Sequence, residues 1–122
     1  MLLGRRRLGV PLIVGSCGTG GGDIGVNWMR DICLEIAQEE GLRFRLALVR
    51  SEQDKEYLKR RLREGRIKPL DPAPELNGGV IDRSAHIVGM MGTEPISKAL
   101  DEGAEVVFCG RSSDTALFAC VP

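Results

Sequence analysis

Apolar and polar residues follow one another in segments that predict strands and helices in turn. Residues 10–14, 42–49 and 104–109 are short and largely apolar, which favours strands that are buried in a parallel sheet. Residues 24–40 carry apolar side chains at three- and four-residue spacing, which predicts an amphipathic helix that ends at Gly41.

The second half of the chain repeats this alternation. Residues 55–64 are highly charged but keep a narrow apolar stripe, so they predict a helix, whose start resembles a capping arrangement over 51–54. The apolar run 84–91, with His86 inside it, predicts another strand or the entry from a strand into a turn. Thr-Glu-Pro at 93–95 then favours a helix start, and residues 115–121 begin a last helix.

Residues 66–83 have no periodicity and contain three prolines and two adjacent glycines. A structureless stretch of this length inside a compact domain is usually functional or disordered. We expect either a lid over the glycine-rich loop or a surface excursion.

The order of the elements predicts the fold class α/β, with an open, mostly parallel, Rossmann-like sheet flanked by helices. We expect one α/β domain over residues 1–122. Because the last helical pattern has almost no length, we also expect an incomplete fold and a partial chain. Ligands of such sheets bind at the carboxyl ends of the strands.

The glycine-rich stretch 15–23 (GSCGTGGGD) stands between the first strand and the first long helix. This arrangement brings backbone N–H groups close to an anionic ligand. It is not a Walker loop, because no Lys-Ser or Lys-Thr follows the glycines. The residues that we expect to bind substrate or an anion come from this loop and from the turn after the last strand: Gly15, Ser16, Gly18, Thr19, Gly20, Gly21, Gly22, Arg111, Ser112 and Ser113. The alternative is a flexible turn that lets a helix pack close to the sheet.

Asp23 and Asp114 are the candidate catalytic residues, as a base or as an orienting group. The alternative for both aspartates is helix capping. Cys17 would be a nucleophile only with a lowered pKa, and no second histidine is present to activate it. We expect His86 to be a hydrogen-bonded core histidine, with proton transfer as the alternative. We expect Trp28 to be a packing residue, although it lies close enough to the loop to contact a ligand instead.

Composition argues against two classes of function, nucleic-acid binding and metal binding. Seventeen basic and seventeen acidic residues give no net charge, which argues against nucleic-acid binding. Four cysteines without a C-x-x-C pair, and one histidine, argue against a metal site; Cys33 and Cys109 predict buried thiols. No cofactor can be named from the sequence.

No segment approaches the roughly 20 apolar residues of a membrane span. The apolar run after Arg5-Arg6-Arg7 is short and is interrupted by Gly9 and Pro11, which argues against an export signal. We therefore expect a cytoplasmic protein without a membrane partner.

Long motifs carry a family resemblance over essentially the whole chain. They are GRRRLGVP at the N-terminus, GSCGTGGGD, EQDK, HIVGMMG and GRSSDTALF. Together they resemble the acyclic terpene utilisation family of the AtuA type, and the resemblance implies that the chain is the N-terminal portion of a considerably longer protein. The resemblance implies a component of bacterial catabolism of acyclic terpenes such as citronellol and geraniol, whose intermediates travel as CoA thioesters, but it implies no particular catalytic residue.

Two functions remain open. The first is an enzyme, or the first domain of one, that binds a small-molecule carboxylate or CoA ester at the glycine-rich loop. The alternative is a non-catalytic binding or oligomerisation subunit of a multi-chain assembly. In either case we expect a homo-oligomer.

Overall fold

Strands and helices alternate along residues 1–121, the part of the chain that the computed structural model describes. The elements are α1 (Leu2–Leu8), β1 (Leu12–Val14), α2 (Asp23–Glu39), β2 (Leu46–Val49), α3 (Lys55–Arg63), α4 (Gly78–Arg83), α5 (Glu94–Asp101), β3 (Val106–Cys109) and α6 (Asp114–Ala119).

A parallel sheet of order β1-β3-β2 lies at the centre, so the last strand in sequence is the middle strand in space. The sheet is not closed and helices flank it, which confirms the predicted incomplete α/β fold. Since successive side chains of a strand point to opposite faces, Val106 and Phe108 face one side, and Val107 and Cys109 the other. All four residues of β3 are buried.

Each face of the sheet has its own hydrophobic core. The core on the α2 face consists of Cys17, Val26, Cys33, Val106 and Phe108. The core on the α5 and α6 face consists of Ile96, Ala104, Val107, Cys109, Ala116 and Cys120. The central strand therefore contributes to both cores and holds the two helical layers together.

The strands are shorter than their apolar runs predict. Residues 10–14, 42–49 and 104–109 were expected to be extended, whereas the observed strands cover only 12–14, 46–49 and 106–109. The register explains the difference, because Leu12 and Leu46 both pair with Val106, the first residue of the central strand. The paired register of both outer strands therefore begins at these positions.

The strand predicted at 84–91 is absent from the sheet. This segment crosses the carboxyl ends of the strands instead of lying beside them. Ile87 O accepts from the Gln53 N–H at 2.8 Å, the Gly89 N–H donates to Ser51 O at 2.8 Å, and the Met91 N–H donates to Arg111 O at 3.0 Å. Its apolar residues cover the end of the sheet. An apolar run by itself does not distinguish a segment that covers a sheet from a strand that lies within it.

Residues 66–83 were predicted as one long loop, which is wrong for their last third. Helix α4 occupies Gly78–Arg83 and begins where the Asn77 side chain accepts from the Val80 N–H at 3.1 Å. Ile81 is buried, and Asp82 pairs with Lys59 of α3 at 2.9 Å. A six-residue helix is too short to reveal a period, so tertiary contacts with α3 decide its formation.

Helix α1 was not predicted either. Its basic residues had suggested only a local charged cluster, and none of its residues is buried. Arg5 forms an ion pair with Glu105, which also accepts from the Arg45 N–H at 3.0 Å. This contact ties α1 to the start of the central strand.

Candidate functional site

The loops that follow the three strands meet at one edge of the sheet. The buried Ser51 hydroxyl accepts from the Arg111 N–H at 2.7 Å and donates to Arg111 O at 3.3 Å. On the other side, the Ser112 N–H and hydroxyl both donate to Gly15 O, at 2.8 and 3.0 Å. The structure thus brings the glycine-rich loop and the turn after β3 together, as expected for parallel strands.

Two glycines of the loop are required by packing. A Cβ on Gly18 would lie 2.6 Å from Gly25 Cα in the first turns of α2, and one on Gly21 would lie 2.6 Å from Gly110 O. Both residues also have left-handed backbones, with φ of 63° and 73°. For these positions the alternative interpretation holds, because they let the helix and the next loop approach the end of the sheet.

The rest of the loop borders an open cleft of about 400 Å³. Three groups of residues line it: the loop residues Gly18, Thr19, Gly20 and Gly22, the apolar side chains Ile24, Trp28 and Val88, and the ionisable pair Glu52 and His86. Gly20 is open to solvent, since the nearest atom to an added Cβ would be 3.9 Å away. Hydrogen bonds within residues 1–121 leave the amides of Gly18, Thr19 and Gly22 without a protein acceptor.

Glu52 connects the first turn of α2 to His86. Its Oε2 accepts from the Asp23 N–H at 2.9 Å, and its Oε1 accepts from His86 Nδ1–H at 2.5 Å. A carboxylate at a helix N-terminus is favourable because the helix dipole is positive there. The hydrogen bond from His86, followed by the one from the Asp23 amide, holds the pKa of the Glu52 carboxyl below its ordinary value.

His86 was predicted as a core histidine in a strand, and this is wrong. Its side chain is 58% exposed and lines the cleft. Glu52 was not predicted at all, since it was assigned to a helix cap. The cap of α3 is Asp54, whose carboxylate accepts from the Tyr57 N–H at 2.7 Å. The position of Glu52 soon after β2 was the one available signal.

Trp28 was expected to be a packing residue, with contact to a ligand as the alternative, and its side chain lies in the wall of the cleft. It is 62% exposed, and the neighbouring wall residue Ile24 is 75% exposed. Both residues come from the early turns of α2, on the side away from the core. The helix therefore supplies an apolar surface to the cleft as well as a buried stripe.

The two candidate catalytic aspartates lie at helix starts, but neither is the N-cap. Gly22 and Ser113 occupy the N-cap positions, and Asp23 and Asp114 are the first residues of α2 and α6. Asp23 Oδ2 lies 3.1 Å from Arg50 Nη1, which places an ion pair beside the glycine-rich loop. The structure does not bring Asp114 into the lining of the cleft.

The remaining predicted binding residues lie at the strand ends, outside the lining of the cleft. Gly15 lies against Leu117, and Ser16 forms an antiparallel bridge with Arg111. Ser112 is buried, and the Ser113 N–H donates to Met91 O at 3.0 Å. Of the ten residues predicted to bind substrate or an anion, four line the cleft: Gly18, Thr19, Gly20 and Gly22.

All four cysteines are free thiols in the interior, which confirms Cys33 and Cys109 as buried thiols. Burial raises the pKa of Cys17 and is the main reason that the pKa of Cys109 rises to about 11. A nucleophilic thiolate at Cys17 is therefore disfavoured at neutral pH.

Two further findings concern the described residues alone. In residues 1–121, no three His, Cys, Asp or Glu side chains lie close enough together to hold a metal ion. Over the same range, the helices are too short or too polar to span a membrane.

We expect Glu52 to stabilise the fold most at neutral pH and progressively less in acid. Its pKa is lowered from 4.5 in the folded chain, so the folded state holds this proton less tightly than the unfolded state. The stabilisation is therefore complete above about pH 4.5 and is lost as the pH falls through the folded pKa. The melting temperatures of the natural chain and Glu52→Gln, measured from about pH 7 to about pH 3, should converge in acid.

Glu56→Gln is the matched control, because Glu56 is an exposed residue of α3 that pairs with Lys59. Surface pairs of this kind contribute little, so we expect this variant to melt close to the natural chain at neutral pH. A constant difference between the natural chain and Glu52→Gln at every pH would show that the charge of Glu52 is irrelevant.

Comparison with known proteins gives one match. The family model described as acyclic terpene utilisation family protein AtuA matches residues 19–121, which include most of the glycine-rich loop and all three other cleft segments. Searches of curated proteins and of solved structures each found no match.

Proposed function

Since the chain belongs to the acyclic terpene utilisation AtuA family, we propose that it binds a carboxylate or CoA-linked intermediate of bacterial acyclic terpene catabolism in the cleft beside the glycine-rich loop. One observation carries this proposal. Unpaired loop amides and exposed apolar side chains line the same cleft.

The two halves of the cleft match the two halves of such a ligand. An acyclic terpenoid acyl group has a branched apolar chain, which suits Ile24, Trp28 and Val88. Its carbonyl or carboxylate oxygens need N–H donors, which suits Gly18, Thr19 and Gly22. The volume of about 400 Å³ lies within the range of small-molecule sites, about 300–1,000 Å³.

The charge of the cleft favours the thioester over the free acid. Glu52 is an acidic group in the lining of the cleft and accepts from the Asp23 N–H directly after the loop. A ligand carboxylate placed beside it would be repelled, whereas a thioester carbonyl carries no net charge. We therefore propose the CoA thioester as the preferred form.

Trp28 allows a direct test, because it is the one tryptophan of the chain and lies in the cleft. We expect its fluorescence to change in a saturable way with citronellyl- or geranyl-type CoA thioesters, and to respond less to the free acids. CoA alone and inorganic phosphate, titrated in parallel, establish how much the head group contributes.

Gly20→Val should weaken this binding by about tenfold or more, because its side chain would enter the cleft without meeting other atoms of the protein. Gly4→Val is the matched control: it makes the same change in α1, also in open space. If Gly20→Val bound the thioester as tightly as Gly4→Val, the ligand would not lie beside the loop.

A specific observation supports the alternative of an oligomerisation subunit. The edge strand β1 borders an apolar groove lined by Leu3, Met29, Ile32 and Ile36, among others. An unprotected sheet edge beside apolar residues is a surface suited to pairing with another chain. This function and a homo-oligomer would be favoured if the chain formed a concentration-dependent dimer and its Trp28 fluorescence did not change with any of the thioesters.

A further inference from the structure

We propose that His86 and Glu52 are a proton-transfer pair, and that the reaction is removal and return of a proton on the carbon next to the thioester carbonyl. This inference rests on the proposed function, because it requires the acyl group in the cleft. Proton transfer was the alternative for His86 on sequence grounds, whereas Glu52 had no expected chemical role.

The pair has the geometry of an oriented base. Glu52 Oε1 lies 2.5 Å from His86 Nδ1, and an ionised carboxylate can only accept, so the proton sits on Nδ1. The other ring nitrogen, Nε2, then carries the free lone pair. The imidazole is 58% exposed at the cleft, whereas the Glu52 side chain is only 25% exposed. His86 is therefore the group available to a ligand, and Glu52 is the positioning residue.

Both members of the pair are held by the fold. Glu52 is anchored through Oε2 to the Asp23 N–H of α2 at 2.9 Å. The segment that carries His86 is anchored next to Glu52, where the Gln53 N–H donates to Ile87 O at 2.8 Å. Their separation consequently does not depend on flexible side chains alone, which is what precise proton transfer needs.

Residues of this chain and water account for every proton that moves in this step. The C–H bond next to the carbonyl breaks, and its electron pair remains on the ligand as an enolate with its charge on the former carbonyl oxygen. The proton forms an N–H bond at His86 Nε2, and Glu52 balances the charge of the imidazolium. The reverse transfer restores the thioester, so no oxidant or second substrate is consumed.

The glycine-rich loop supplies what the enolate needs. Negative charge develops on an oxygen that was neutral in the ground state, and preorganised N–H donors stabilise such charge. The amides of Gly18, Thr19 and Gly22 are available for this role. The cleft thus combines a base, a positioning carboxylate and oxyanion donors.

The test is isotope exchange in heavy water. We expect the chain to catalyse incorporation of deuterium at the carbon next to the carbonyl of a citronellyl-type CoA thioester, followed by mass spectrometry. His86→Gln should lower the exchange rate by about 10²–10⁴-fold, the usual contribution of a general base. Glu56→Gln, outside the cleft on α3, should exchange at the natural rate.

Glu52→Gln separates positioning from mere structure. It should lower the maximal exchange rate while the thioester concentration that half-saturates Trp28 fluorescence stays unchanged. It should also alter the ¹⁵N chemical shifts of the imidazole, because the Nδ1–H tautomer loses its carboxylate acceptor. His86 is the one histidine of the chain, so these signals need no assignment.

The outcomes distinguish the two proposals. If Trp28 reports saturable binding but deuterium does not enter, the proton-transfer proposal is wrong and the binding function stands. If exchange occurs and His86→Gln retains it, another group is the base and the inference falls. If no thioester binds, both proposals fail together, and the absence of a fluorescence response identifies that case.

Discussion

Replacing Gly21 by alanine is expected to lower the free energy of unfolding by about 2–5 kcal/mol. A left-handed backbone with a Cβ costs about 1–2 kcal/mol, and forced overlap in a packed region costs about 1–3 kcal/mol. Gly21 meets both conditions, with φ of 73° and only 2.6 Å between an added Cβ and Gly110 O. Urea denaturation followed by circular dichroism measures the loss.

Two matched variants separate the causes. Gly41→Ala carries the left-handed strain alone, since φ is 58° and nothing lies within 4 Å of an added Cβ. Gly20→Ala introduces neither the left-handed strain nor the overlap, so it should change stability least. If Gly21→Ala lost no more stability than Gly41→Ala, the approach of the loop to Gly110 would be loose, contrary to the structure.

The same comparison decides how the glycine-rich loop should be probed for function. Changes at Gly18 or Gly21 alter packing at the end of the sheet, so a loss of binding there would not identify a ligand site. Gly20 has open space and faces the cleft. A binding defect at Gly20 in a stable protein is therefore the informative result.

The second large effect is expected in the core. Ile96→Ala should lower the free energy of unfolding by about 2–5 kcal/mol, because Ile96 is completely buried and its truncation leaves a cavity. Ile96 packs in the core that contains Val107 and Cys109 of the central strand. Chemical denaturation with an unchanged slope would show that the loss concerns stability rather than compactness.

Ile24→Ala is the matched control, as it removes the same atoms from a helical residue that is 75% exposed. Surface substitutions usually change stability by less than about 0.5 kcal/mol, so this variant should unfold with the natural chain. Equal losses for Ile96→Ala and Ile24→Ala would contradict the burial of α5 against the sheet. Ile24→Ala also removes part of the apolar wall of the cleft, which Trp28 fluorescence would report separately.

Much of the architecture follows from local pattern. The spacing of Met29, Cys33 and Ala37 along one face made α2 recognisable, since a long helix repeats its period several times. Short apolar runs located all three strands. The glycine-rich composition marked the loop that follows β1, because tight turns and close backbone approaches need residues without a Cβ.

Tertiary structure decided the rest. Whether 84–91 enters the sheet or crosses its end depends on partners such as Ser51 and Arg111, which are distant in sequence. Helix α4 lies against α3, where Asp82 pairs with Lys59, and its six residues carry no period of their own. Strand lengths were set by the length of β3, the last strand in sequence.

The candidate site shows the same division. The glycines, an exposed part of the cleft, were evident from sequence, but Glu52 and His86 are 34 residues apart and belong to different segments. Their local contexts suggested a helix cap and a buried strand, and both were wrong. A helix period or a glycine run is a property of neighbouring residues, so it is visible in the sequence. A hydrogen bond between side chains from separate segments exists only after the chain has folded back over the carboxyl ends of its strands.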